Sequence, residues 1–281
     1  MAAAGLDASP VVWSDQAVDW SSFDLVVANG AWDNIHHVDE FLRWIDHLEG
    51  LGTAMVNSPA TLRWNFDKQY LRTLESAGVP IVPTQWIGPS RAQNRAGSDH
   101  AGGAAVAAPL ELDGEVVVKP AISGGGFQTA RYEPAEHAAA RAHIAALVDA
   151  GTTVMLQPYQ SSVDDDGETG LIFMGGDFSH AIHKRPMIRR GVAPGPSLIQ
   201  NQVVTASSAT PDQVALGQQA VEAAASVLGP TTYARVDLVR GADGRPALLE
   251  LELLDPVLFF TTAPPAAARF AEVLVRVLAS A

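Results

Sequence analysis

The chain of 281 residues contains no cysteine, and only three of its 18 basic residues are lysine. Without cysteine there can be no disulfide framework, no thiolate zinc site and no cysteine nucleophile. Positive charge is scarce throughout: 31 acidic residues face 18 basic ones, a formal charge of −13. That balance offers no broad phosphate-seeking surface, so nucleic acid and anionic membrane are poor partners. No apolar run reaches the length of a membrane span, and the opening MAAAGLDASP has no basic stretch ahead of an apolar one. The expectation is a soluble, cytoplasmic protein.

What is present describes a folded chain. Hydrophobic residues make up 47% and charged residues 17%, enough apolar material for a sizeable core and too little charge for disorder. The length suits two or three sub-domains that share a site. The three lysines, Lys68, Lys119 and Lys184, stand out against 15 arginines. Either they are kept where a compact point charge is wanted, as on a phosphate, or they survive by chance in a GC-rich coding sequence.

The pattern is mixed α/β. Phe23 to Ala28 reads as a buried strand, followed by a helix from about Val38 to Leu48, a strand ending at Val56 and a helix over Asp67 to Ala77. Val79 to Thr84 reads as extended, and the Gly/Ala/Ser/Asn-rich stretch from Gly88 to Pro109 as a linker or loop. Beyond it come a strand at Glu115–Val118, a glycine loop at Ser123–Phe127, an alanine-rich helix from Glu133 to Ala150 and a strand at Thr153–Pro158. A hairpin about Gly175-Gly176 joins Gly170–Met174 to Phe178–His183, and a Gly/Pro loop covers Gly191 to Gln200. Thr210 caps a helix running to Leu228, a second hairpin spans Tyr233 to Leu254, and a last helix starts near Pro265 with Phe270, Leu274, Val277 and Leu278 on one face.

Counting residues in the last hairpin brings charges together. A two-residue turn at Asp243-Gly244 pairs residues so that Asp237 faces Glu250 and Arg235 faces Glu252. These four share one face of the ribbon, while Ala234, Val236, Leu238, Leu249, Leu251 and Leu253 share the other. Converging carboxylates repel unless a cation lies between them, and hard oxygen donors suit Mg²⁺. The alternative is a solvated sheet face with ordinary cross-strand pairs. Lys119 ends an all-valine strand just before Gly124, Gly125 and Gly126, whose amides could nest an anion or could form a plain turn. The run fits neither a P-loop nor GxGxxG.

Other clusters carry less. His36-His37 point apart on a helix and read as solvent-facing; His180 and His183 lie at opposite strand parity, with His183 a supporting partner at most. Asp164-Asp165-Asp166 lacks the further ligands of a calcium loop and reads as a polar turn. The tryptophans at 13, 20, 32, 44, 64 and 86 read mostly as core, with Trp64 a candidate border of a substrate site. Arg185, Arg189 and Arg190 flank the Gly/Pro loop and could receive a carboxylate or phosphate.

The order of parts is more specific than any one of them: DK at 67–68, VKP and the glycine loop at 118–126, LQPY at 156–159, GE at 167–168, HKRP at 183–186, RVD at 235–237 and ELE at 250–252. From about residue 55 onward the chain resembles an ATP-grasp ligase. The resemblance implies an N-terminal α/β domain over residues 1–86 and two α+β lobes, 87–158 and 159–281, clasping ATP. It places Lys68 and Lys119 on the α/β-phosphates, Ser123, Gly124, Gly125, Gly126 and Phe127 over the phosphates, and Gln157, Pro158 and Tyr159 at the adenine hinge. Glu168 would hold the ribose, Lys184 would approach the phosphates, and Arg235 would stabilise the transferred phosphoryl group. Asp237, Glu250 and Glu252 would hold one or two Mg²⁺, with Mn²⁺ as a substitute; many relatives carry Asn where this chain has Glu252.

The runs Leu62–Lys68 and Leu249–Pro256, with Trp20 and Trp32-Asp33, are similar to the branch that contains the D-cycloserine-forming O-ureido-serine cyclo-ligase, grouped with RimK and glutathione-synthetase-type ligases. Relative to such members the chain opens at what reads as the second strand. The resemblance implies activation of a small amino-acid-like carboxylate as an acyl phosphate for attack by nitrogen, within or between molecules. A RimK-like ligase acting on peptides or proteins and a non-catalytic nucleotide binder are the alternatives; a homodimer is left open.

Overall fold

The computed structural model describes residues 1–88, 112–195 and 202–280. The linker expected at Gly88–Pro109 therefore lies, past Gly88, outside the described residues, as does the Gly/Pro loop from residue 196.

Two short parallel strands, β1 (Val26–Val27) and β2 (Met55–Val56), are joined by α1 (Val38–Leu51). Phe41, Leu42, Trp44, Ile45 and Leu48 recur at helical spacing and are buried, and Gly52 ends α1 in the left-handed conformation with its amide on the Leu48 and Glu49 carbonyls. Trp13 and Trp20 close this aromatic core. The sequence reading passes over α2 (Pro59–Asn65), although Ser58 caps it by accepting the Thr61 amide and Pro59 opens it. α3 (Tyr70–Ser76) starts later than Asp67, whose carboxylate accepts the Gln69 amide in a turn ahead of the helix.

The strand expected over Val79–Thr84 does not form. Pro80 and Pro83 have no amide to donate, so the segment contributes one bridge, Ile81 opposite Leu248. The strand comes later as β3 (Gln85–Ile87), which joins β4 (Val116–Pro120), β5 (Ala130–Tyr132) and β6 (Val154–Pro158) in an antiparallel sheet ordered β3-β6-β4-β5. A boundary between residues 86 and 87 thus cuts β3. α4 (His137–Asp149) packs Ala140, Ile144 and Leu147 on this sheet.

The larger sheet is antiparallel with the order β11-β10-β7-β8-β9, built from β7 (Glu168–Met174), β8 (Asp177–Lys184), β9 (Val204–Ser207), β10 (Tyr233–Arg240) and β11 (Pro246–Glu252). Gly175 and Gly176, at φ 61° and 86°, make the tight β7–β8 turn. β9 escapes the sequence reading because it is a mostly exposed edge strand without apolar alternation. α5 (Ser162–Asp166) replaces the expected polar turn. α6 (Pro211–Leu228) covers one sheet face, and α7 (Pro265–Ser280) covers part of the other with Ala266, Phe270, Val273 and Leu274. Among the described residues no helix is long and apolar enough to cross a membrane.

The β10–β11 hairpin holds a correction. Arg240 pairs with Pro246, and the Gly241 amide donates to the Arg245 carbonyl, so the loop is the three residues Ala242–Gly244 with Gly244 left-handed at φ 81°. This moves the register by one residue. A bulge between Asp237 and Leu238 leaves Leu249 unpaired and moves it back. Asp237 therefore faces Glu250 and Arg235 faces Glu252 as counted, while Leu248, not Leu249, is the residue buried in the core.

Candidate active site

The site lies where the near end of β10–β11 faces β4. Its three lysines are all buried, at 6% (Lys68), 8% (Lys119) and 4% (Lys184) exposure. An ammonium loses hydration when buried and needs partners. Lys68 precedes α3 and anchors its backbone amide on the Ala121 carbonyl; its Nζ donates to the Ser123 carbonyl at 2.5 Å and pairs with Glu250 at 3.1 Å. Lys184, at the end of β8, pairs with Glu168 at 2.6 Å and Asp237 at 2.9 Å. Arg235 reaches Asp237 through Nε and Nη2 at 3.0–3.2 Å and pairs with Glu252. Lys119 differs: among the described residues it has no ion pair or hydrogen bond.

Asp237, Glu250 and Glu252 each present a carboxylate oxygen within 4.8 Å of the others. Three hard oxygen donors on one preformed face fit a divalent cation. Four cations (Lys68, Lys119, Lys184, Arg235) meet four carboxylates (Glu168, Asp237, Glu250, Glu252), so the site is locally neutral inside a chain of charge −13.

The electrostatics follow. Burial pulls the Lys119 ammonium down to about 8, with Lys68 and Lys184 adding repulsion against the pull of Glu250 and Glu168. Burial likewise opposes the charge of Lys184, but Asp237 and Glu168 outweigh it and hold the ammonium above its ordinary value. Asp237 is buried and Glu250 half-buried, and desolvation opposes the charge of each; Arg235 and Lys184 hold Asp237, and Lys68 and Lys119 hold Glu250, below the usual carboxylate range. Glu252 is raised to about 7 by burial, with Arg235 opposing and Glu250 and Asp237 assisting.

The loop Ser123–Phe127 bridges β4 and β5. Gly125 and Gly126 stand at φ 58° and 76°, a backbone that side chains resist. The loop touches the N-terminal part: Phe127 meets His36 edge-on at 4.8 Å, and Gly124 lies over Ile35. His36 is exposed, as expected, yet not idle. Gln157 is buried and donates to Thr84 Oγ1 at 2.8 Å; Pro158 closes β6. The Tyr159 amide donates to the Glu115 carbonyl at 2.8 Å, and its ring lies 3.4 Å beneath the Arg131 guanidinium, which also binds Glu115 and Asp164. Glu168 is half-buried beside Lys184.

The residues set aside earlier fall elsewhere. His180 donates to the Leu258 carbonyl and His183 to that of Asp166. Arg190 pairs with Glu115 and Glu133, while Arg185 and Arg189 are exposed. Trp13, Trp20 and Trp44 are core; Trp64 is half-buried against Tyr70 at 5.1 Å, and Trp32 is exposed.

Sequence reasoning missed the residues that hold the carboxylate strand in place. Asn65 donates to the Leu251 carbonyl and accepts the Leu253 and Leu254 amides at 2.7–3.1 Å. Asn57 donates to the Leu253 and Tyr233 carbonyls, and Tyr70 accepts the Leu251 amide. Nothing in the sequence distinguishes these asparagines from exposed ones; their burial and full pairing show only in the fold.

Two lobes of antiparallel sheet closing on a buried cluster of lysines and carboxylates define an ATP-grasp ligase. The fold is shared with D-alanine–D-alanine ligase from Bacillus anthracis in its ATP complex (TM-score 0.58, 14% identity, covering 92% of this chain and 81% of that one). It is shared also with a RimK-domain ATP-grasp protein from Sphaerobacter thermophilus DSM 20745 (0.55, 20%, covering 90% and 80%). Residues 1–57 match the family model of the N-terminal domain of D-cycloserine synthetase DcsG. The cycloserine biosynthesis protein DcsG of Streptomyces lavendulae is 38% identical over 274 residues, 96% of this chain and 88% of that protein. The crystal structure of D-cycloserine synthetase DcsG superposes with a TM-score of 0.85 at 35% identity, covering 99% of this chain and 91% of that one. The chain belongs to the D-cycloserine synthetase (DcsG) family. It is an enzyme, an ATP-dependent ligase that forms carbon–nitrogen bonds.

Proposed function

We propose that this ligase uses ATP and Mg²⁺ to activate the carboxylate of an O-ureido-serine-type amino acid and closes it onto a nitrogen of the same molecule, giving D-cycloserine. The observation that carries the reading is the pairing of three of the four cations with the three carboxylates of the metal face: Lys68 with Glu250, Lys184 with Asp237, Arg235 with Glu252. With the nucleotide bound, each of these cations would turn to a phosphate oxygen, and Asp237, Glu250 and Glu252 would be free to hold Mg²⁺.

In this reading Lys68 and Lys119 take the α/β-phosphates, the Ser123–Phe127 loop covers them, Gln157–Tyr159 border the adenine and Glu168 faces the ribose. The Tyr159 amide is already committed to Glu115, so that edge of the base is read by other groups of the hinge. Asp237, Glu250 and Glu252 hold Mg²⁺, which neutralises charge on the phosphates when bound. Lys184 and Arg235 would stabilise the charge that builds on the transferred phosphoryl group. A substrate carboxylate oxygen attacks the γ-phosphorus and ADP leaves. The oxygen-bound ureido nitrogen then attacks the acyl-phosphate carbon, inorganic phosphate departs and the nitrogen sheds its proton; water then takes the carbamoyl group from that nitrogen as carbamate, which falls to CO₂ and NH₃, and D-cycloserine is left. Holding both groups in one molecule gives the second step a high effective molarity. The lobes divide near residues 85 and 158, with β3 in the central lobe.

The test is phosphate release from ATP and Mg²⁺ with O-ureido-D-serine set against a panel of small amino acids. The reading requires release that depends on O-ureido-D-serine. Release triggered by another amino acid alone replaces the substrate, and nucleotide binding without any triggered release removes the ligase chemistry from this molecule.

A further inference from the structure

Asp255 is a half-buried carboxyl in this region, with one buried oxygen that neither the nucleotide nor the metal accounts for. It lies three residues past Glu252, in the segment that wraps Arg235: Glu252 pairs with Arg235 Nη2, the Val257 carbonyl accepts from Nη1 at 3.4 Å, and the Phe259 ring lies 5.8 Å from the guanidinium. The N-terminal loop closes over it. Asn29 donates to the Pro256 carbonyl at 2.8 Å, and the Gly30 amide donates to Asp255 Oδ1 at 2.5 Å. Asp255 Oδ2 is buried and has no hydrogen-bond partner among the described residues. A carboxylate oxygen left so costs the full desolvation of a charged acceptor, and a native fold keeps such an atom for a reason.

The surroundings say what is missing. Arg235 is the near cation, but its donors reach Asp237, Glu252 and the Val257 carbonyl, and among the described residues none bonds Asp255. Asp33 adds negative potential, and burial with it raises the Asp255 carboxyl to about 7, against the Gly30 and Ala31 amides and Arg235. The field thus calls for a cation with several donors. From Gly30 the same loop runs to Ile35 and His36, which touch the glycine loop at Gly124 and Phe127. Residues 30–36 therefore span from Asp255 to the glycine loop, which the functional reading lays over the phosphates. In an α-amino acid the ammonium nitrogen lies about 2.5 Å from the carboxyl carbon, so a substrate carboxylate seated beside Arg235 would bring its ammonium into the neighbourhood of the segment that wraps that guanidinium.

We infer that Asp255 is a substrate-specificity residue that receives the α-ammonium of the amino-acid substrate through Oδ2, the Asn29–Ala31 loop yielding to admit it. This rests on the functional reading above and extends it to the recognition of the substrate. It follows that the enzyme selects α-amino carboxylates over carboxylates of the same shape lacking the amine.

The experiment compares O-ureido-D-serine with its des-amino analogue, 3-(ureidooxy)propanoate, by kcat/KM for triggered phosphate release, in the wild type and in Asp255→Asn. The amide is isosteric and keeps the Oδ1 acceptor for Gly30, but places a donor where the ammonium would bind. The wild type should favour the amino compound by about 10²–10³-fold, the scale of a buried charge pair. In Asp255→Asn that preference should fall below about tenfold, through loss on the amino compound alone. A merely structural role would depress both substrates together and leave their ratio unchanged, which overturns the inference while the ligase reading stands. If the variant does not fold, the wild-type ratio still decides: equal use of the two compounds overturns it. Absence of release with either compound strikes the functional reading itself, and the inference with it.

Discussion

Lys119 is the side chain on which the site's affinity for a polyanion should turn most sharply. The other cations are already paired with carboxylates, whereas Lys119 is buried without an ion pair among the described residues. Removing one preformed donor from a site of this kind costs about 10²–10³-fold in rate, so Lys119→Ala should lose that much in kcat/KM for ATP by steady-state kinetics. The pH dependence has a definite sign. The folded-state ammonium titrates near 8, below its ordinary 10.5, so the charge is present below pH 8 and lost above it. The KM for ATP should therefore climb as pH passes 8, and stay level in Lys119→Arg, whose charge does not titrate there. Folding stability moves the other way: between pH 8 and 10.5 the unfolded chain binds the proton more readily, and this lysine's contribution improves as pH rises. A KM indifferent to pH in the wild type would remove Lys119 from the phosphate site. The lysines were readable from composition, because three among 18 basic residues is an anomaly that asks for a reason. Asp255 and Asn65 were not, since one aspartate or asparagine in a sequence carries no mark of burial.

Among the elements, the β10–β11 hairpin shows how far periodicity reaches and where it stops. Two-residue alternation placed Arg235, Asp237, Glu250 and Glu252 on one face, but the path to that register was wrong in two places that cancel, a three-residue loop and a bulge at Leu249. The run Leu248-Leu249 offers no polarity difference from which the bulge could be read. The Val79–Thr84 segment failed as a strand because its apolar residues are interrupted by Pro80 and Pro83, and β9 was missed because an exposed edge needs no apolar pattern. The larger helices and the β7–β8 hairpin, with caps and paired glycines, followed their signals closely. What the alternation could not supply is the external brace on β11. Asn65→Ala would leave the Leu251 carbonyl and the Leu253 and Leu254 amides without their partner. At roughly 1–3 kcal/mol for each of these three buried groups left unsatisfied, the variant should lose about 3 kcal/mol or more in urea unfolding and bind metal more weakly. Unchanged stability would mean the brace is not needed.

Over the whole molecule, a chain of charge −13 repels ATP at a distance and must attract it locally. The paired site reconciles the two, because its cations are held in place by carboxylates that a metal can take over. Cutting one pair should then have opposite effects on the two ligands. Lys184→Met frees Asp237 and Glu168 of their ammonium; calorimetry should show divalent metal binding more tightly to the nucleotide-free enzyme, and ATP more weakly. Both affinities falling together would contradict the exchange of partners.

The central claim is that the substrate carboxylate itself attacks the γ-phosphate. It is tested most directly with O-ureido-D-serine labelled with ¹⁸O in its carboxyl group, turned over with ATP and Mg²⁺, and the released phosphate weighed by mass spectrometry. Passage through an acyl phosphate predicts one ¹⁸O atom in each phosphate formed from the labelled carboxyl oxygens. Phosphate free of label, with product still forming, would show that the carboxylate is activated by another route.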